Sequence, residues 1–222
     1  MIKFIDIPTE QTTAITDVVL AIVAFTMAVN LISIGRSRDK TKARIWAWAF
    51  SLLAFAAFMG FIAHGFQMSA RLNYIFWQPL NLALGLAIAF FVIGVMCDYK
   101  RTALPVWLSP AILAIAVLFY VITLLVPGSF FVFIIYEAIA MLFALVVYSI
   151  LAIRRRLRGA WLMSAGILIT MIAAAIQASE AVFITLIWDF DFNGIFHIVQ
   201  IPGLIFLWLG LRNALLYLPV KK

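Results

Sequence analysis

Apolar residues run along this chain in seven blocks, each about 20 residues or longer and each closed by a short polar break. The blocks cover residues 12–35, 45–68, 75–97, 105–126, 130–153, 160–187 and 194–217. At a helical rise of about 1.5 Å per residue, about 20 apolar residues cross the ~30 Å hydrocarbon core of a bilayer. The pattern predicts an all-α polytopic membrane protein, a single seven-helix transmembrane domain over residues 1–222. The breaks are Arg36–Arg44, Ser69–Asn73, Asp98–Arg101, a tight Pro127-Gly128-Ser129 turn, Arg154–Arg158 and Trp188–Asn193.

Composition agrees. The 222 residues are 67% hydrophobic and 11% charged, with mean hydropathy +1.16. A soluble domain of this size has no surface that tolerates so much apolar area. One cysteine, Cys97, excludes an internal disulfide and reads as a small packed hydrophobe. The polar Met1–Gln11 stretch precedes an apolar block too long for the h-region of a cleaved signal, so the first helix is expected to act as an uncleaved anchor.

Charge then orients the chain. Every basic residue except Lys3 and Arg71 falls in the first, third or fifth break or near the C-terminus. The positive-inside rule puts those segments in the cytoplasm and the N-terminus outside. That bias accounts for the net charge of +7, so no nucleic-acid partner is expected. The basic loops should instead meet anionic lipid headgroups on the cytoplasmic face. Trp46, Trp48, Trp77, Trp107, Trp161 and Trp188 lie near block ends, where indole suits the headgroup level. No repeat relates the two halves, and protein partners are not specified by the sequence.

The polar residues inside the blocks carry the candidate chemistry. Once the chain is oriented, Thr13, Asp17, His64, Gln67, Gln78, Asn81, Tyr136, Glu137, Gln177, Glu180, Asn193, His197 and Gln200 all fall in the outer half, and the inner half is nearly apolar. His64/Gln67, Gln78/Asn81, Gln177/Glu180 and His197/Gln200 are each three apart, so each pair is expected on one helix face. Amides at such sites often tie helices together, and Asp17 can simply favour its helix's N-terminal end. Asp189 and Asp191 read as solvated loop carboxylates. Four titratable groups at one depth are harder to explain by packing. A carboxylate in the bilayer costs about 2.5–3.5 kcal/mol on insertion scales, so His64, Glu137, Glu180 and His197 are expected to face one outward-open pocket. With no lysine or arginine at that depth, at least one of the two glutamates is expected to contact a histidine. Pro202 should kink the last helix by freeing the Ile198 carbonyl, and Pro79 is expected within a first helical turn.

These residues carry two resemblances. Asn193, His197 and Gln200, with His64 on the second helix, resemble uncharacterised bacterial seven-helix membrane proteins whose last helix opens with Asn-x3-His-x2-Gln. That likeness implies the topology and a bacterial inner membrane but no activity. The chain is also similar to the alkaline ceramidase and adiponectin-receptor superfamily of seven-helix zinc hydrolases. There, one zinc-binding histidine stands on the second helix and two, four apart, on the seventh. His64 and His197 match two of these; the third position is Ile201, the family's second-helix serine is Gly60, and its third-helix aspartate has no counterpart.

Three functions follow as expectations. The first is a binding protein whose pocket holds a small ligand or a metal ion through His64, Gln67, Gln78, Asn81, Glu137, Gln177, Glu180, Asn193, His197 and Gln200. The second is a metal-dependent hydrolase of a lipid or amide. There His64, His197 and Glu180 hold zinc, and Glu137 or Glu180 serves as the catalytic base. The third is a structural or assembly subunit. Haem between His64 and His197 is a further cofactor to test. A retinal Schiff base is not expected, because the seventh block has no lysine.

Overall fold

The computed structural model describes residues 3–100, 104–126 and 130–217. Among these are seven helices, each long and apolar enough to cross a membrane: α1 (Pro8–Gly35), α2 (Lys40–Gly65), α3 (Ala70–Lys100), α4 (Leu108–Leu125), α5 (Phe130–Ile153), α6 (Ala160–Ser179) and α7 (Phe192–Leu216). The Pro127–Ser129 turn, Arg101, Lys221 and Lys222 lie outside the described residues.

The helices close into a ring. Consecutive helices are neighbours throughout, α7 returns to α1, and α3 touches α5 behind a peripheral α4. Helices in a bilayer gain little from burying apolar side chains against one another, so close backbone approach matters more. The α6–α7 contact shows this. A Cβ on Gly166 would stand 2.5 Å from the Gly203 carbonyl oxygen, and one on Gly210 would stand 2.7 Å from that of Gly159. Gly159 also has φ 82°, in the left-handed region that glycine adopts without steric cost.

The block boundaries differ from expectation at three places. The apolar run 160–187 is not one helix. It stops at Ser179, whose hydroxyl donates to the Ile176 carbonyl, and Glu180 follows in the left-handed conformation with φ 50°. The β-branched and aromatic residues beyond it form a small antiparallel hairpin, β1 (Ile184–Thr185) with β2 (Asp189–Phe190). Second, α2 ends at Gly65, so Gln67 is not helical; it lies in extended chain bonded to the N-terminal tail. Ile5 N donates to Gly65 O, and Gln67 N to Lys3 O, both at 2.9 Å. Third, α3 begins at Ala70, which places Pro79 well inside the helix rather than in its first turn.

The end of the bundle carrying the basic breaks is not purely apolar. Lys42 and Asp98, both buried, form an ion pair, and the Tyr148 hydroxyl donates to the other Asp98 oxygen at 2.9 Å. Asp98 was expected in a loop, but α3 runs two residues past it. Trp46 is likewise not at an interface. It is fully buried, and its ring fills the space a side chain on Gly94 would need.

Candidate functional site

A cavity of about 1270 Å³ opens at the end of the bundle where α1 begins and runs inward, and side chains from all seven helices line it. On α2 the lining runs from His64 down to Trp46, roughly 27 Å at the helical rise. The mouth is polar, with exposed Asp6, Gln67 and Glu180. The depth is apolar, with Phe50, Leu53, Ile167 and Leu207. All ten residues that the sequence singled out as ligand-binding line this one cavity.

They do so at different depths and with different partners. His197 is buried on α7. Its Nδ1 lies 2.9 Å from Thr16 Oγ1 and its Nε2 3.3 Å from Asp17 Oδ1. The Thr16 hydroxyl already donates to the Thr13 carbonyl at 2.9 Å, so its oxygen accepts from His197 Nδ1–H. The Asp17–Nε2 pair then shares a single proton. His64, near the end of α2, places Nδ1 2.6 Å from Glu10 Oε2 and its ring edge-on to Trp77. Gln177 Nε2 donates to Asn193 Oδ1 at 3.0 Å, joining α6 to α7. Gln67 Nε2 donates to Asp6 Oδ2 at 2.8 Å, and Gln78 Nε2 to the Tyr74 carbonyl.

The histidines' carboxylates are therefore not the two expected. Glu10 and Asp17 of the first helix take them, whereas Glu180 caps α6 in an exposed position at the mouth. Glu137 is buried but makes no hydrogen bond or ion pair among the described residues. The Gln177/Glu180 spacing of three does not put both on one helix face, because the helix stops before Glu180. Asp17 was read as equally consistent with a helix-end preference; it is a cavity residue, 4% exposed. Gly60 makes room for it, since a Cβ there would come within 2.8 Å of Asp17 Oδ2.

Asp191 is a further correction. It is buried rather than solvated: Oδ1 accepts from Gly194 N at 2.9 Å, capping α7, and from Thr13 Oγ1 at 3.0 Å. Thr12 Oγ1 lies 2.7 Å from the Asp189 carbonyl, tying the hairpin to α1. Asp189 itself accepts from the Thr185 hydroxyl. Glu10, Thr16 and Asp17 are partners of the two histidines that spacing within single helices did not reveal. A clue lay in the polar density of the first helical turns, Thr9-Glu10-Gln11-Thr12-Thr13, continued by Thr16-Asp17.

Three buried acceptors on cavity-lining residues have no hydrogen-bond donor: Asp17 Oδ2, Gln78 Oε1 and Gln200 Oε1. Metal ligation fits less well. Both ring nitrogens of His197 are engaged, His64 Nδ1 is held by Glu10, and Glu180 stands apart at the mouth. No group of three or more His, Cys, Asp or Glu side chains arranged to hold a metal forms among the described residues.

The chain belongs to a family of unknown function, DUF6962, whose model matches residues 12–215. This agrees with the resemblance to uncharacterised proteins; nothing supports the similarity to the zinc-hydrolase superfamily. No curated protein and no solved structure matches the chain.

Proposed function

We propose that this is a membrane-embedded binding protein whose cavity holds one small molecule, its polar end at the mouth and its apolar body in the depth. One observation carries the reading. Asn81, Glu137 and Gln200 line the cavity yet, among the described residues, bond to no other helix. Side chains kept to tie helices together are consumed by helix-to-helix hydrogen bonds, as Gln177 and Asn193 are. Free polar groups inside a bilayer mark a site that something else completes. A purely structural subunit has no use for them, and metal-dependent hydrolysis lacks a gathered set of ligands.

The basic breaks lie at the end away from the mouth, so under the positive-inside rule the cavity opens away from the cytoplasm. The resemblance to bacterial proteins supports the inner membrane as its location, and the basic end would contact anionic lipid headgroups.

Native mass spectrometry of protein released from mild detergent tests the reading. Wild type should retain one small molecule per chain. Leu53→Trp, which fills the apolar depth from a cavity-lining position, should retain none while keeping its melting temperature. If wild type carries no extra mass and solvent extraction recovers no small molecule, the structural-subunit reading replaces this one.

A further inference from the structure

We propose that the molecule held in this cavity is an organic cation, a protonated amine on an apolar body. The inference rests on the binding reading above and adds the charge of the ligand.

The lining is strongly one-sided. Asp6, Asp17, Glu137 and Glu180 line the cavity, together with His64 and His197, and no lysine or arginine among the described residues does. The imidazoles leave Glu137 unbalanced. His64 is taken by Glu10 at 2.6 Å, a further carboxylate outside the lining, and His197 shares one proton with Asp17. Glu137, 7% exposed, keeps no partner. A carboxylate at such a place is stable only with a proton or a cation beside it.

Gln200 gives an independent indication. It stands one turn below His197, is 5% exposed, lines the cavity, and its Oε1 has no donor. Asp17 Oδ2 shares that condition. An ammonium group brings several N–H donors and a positive charge at once, the chemistry that an undonated amide oxygen and an unpartnered carboxylate call for. A carboxylate or phosphate ligand brings neither. Tyr74, Trp77 and Phe196 also line the cavity, offering aromatic faces that attract a cation. The long apolar depth suits an alkyl or aryl body.

Octylamine at pH 7, octanol and octanoate share one chain length and differ in headgroup charge, so they test the proposal. Binding is measured by titration calorimetry on full-length protein in lipid nanodiscs, with empty nanodiscs subtracted. Octylammonium should bind at least about tenfold more tightly than octanol, a difference of the size one charge-assisted hydrogen bond provides. Octanoate should bind most weakly. Glu137→Gln should weaken octylammonium about tenfold and octanol by less, so that the gap between the two narrows. If octanol or octanoate equals octylammonium in the wild type, the cation proposal is overturned while the cavity remains a binding site. If none of the three binds, both readings fail. The wild-type ranking decides the matter even where a variant does not fold.

Discussion

Asp98 and Asp17 are equally buried, each 4% exposed, at opposite ends of the bundle. Asp98 has both oxygens occupied, one by the Lys42 ammonium and the other by the Tyr148 hydroxyl, and the three residues lock α2, α3 and α5. Asp17 has one oxygen 3.3 Å from His197 and the other without a donor, beside a large cavity. Burial costs a carboxylate its hydration in both places. For Asp98 the chain supplies a partner to each oxygen, and the result is a structural clasp. At the mouth end it supplies part of the partners and leaves space. Incomplete satisfaction next to empty volume is what separates the cavity end from the structural clasp.

The largest effect should come from breaking the clasp. Lys42→Ala leaves Asp98 buried without its cation and should cost about 3–5 kcal/mol of unfolding free energy. Lys42→Met combined with Asp98→Leu removes both charges and should recover most of that loss, since an apolar pair of similar volume is often neutral. Denaturant unfolding in detergent measures both. A loss below about 1 kcal/mol for Lys42→Ala would put the clasp on a par with an exposed surface ion pair.

Asp17→Asn should act oppositely. It keeps the shape, replaces one member of a pair that shares a single proton, and should change stability by less than about 1 kcal/mol, in line with the modest net worth of one hydrogen bond. A cost matching that of Lys42→Ala would make Asp17 as structural as Asp98 and erase the contrast.

The last test leaves stability untouched and asks which side of the membrane each end faces. A reporter fused after Lys222 should be active in the cytoplasm, and one inserted at Ser129 outside it, because nearly all basic residues lie at the clasp end. The reverse result would turn the cavity mouth toward the cytoplasm.

Much of this contrast was visible in the residues. The ten polar positions His64 to Gln200 were chosen by asking which groups a bilayer tolerates only at a protected site, and the same physical demand gathers them around one cavity. What spacing missed was pairing. Glu10 and Asp17 sit in a first helix that looked like an ordinary polar helix start, and nothing local links them to residues 54 and 180 positions further on. Lys42 and Asp98 were placed in loops because apolar runs end before them, yet backbone hydrogen bonding carries both helices past the charges, and each charge permits the burial of the other. Glu180 was placed too deep for the converse reason: Ala181–Ile187 is apolar enough to continue a helix, but its β-branched residues favour the hairpin.

The sequence by itself determined that the chain crosses a bilayer seven times. Unpaired backbone and charged groups are so costly in hydrocarbon that length and hydropathy leave few alternatives. It also determined which side chains had to avoid lipid. Only the tertiary structure decided which acid meets which histidine, which polar groups are left without partners, and that a cavity remains among them. Those outcomes depend on helix rotation and close approach in the closed ring, set by contacts such as Gly166 on Gly203 and Gly60 beside Asp17, between residues far apart in the chain.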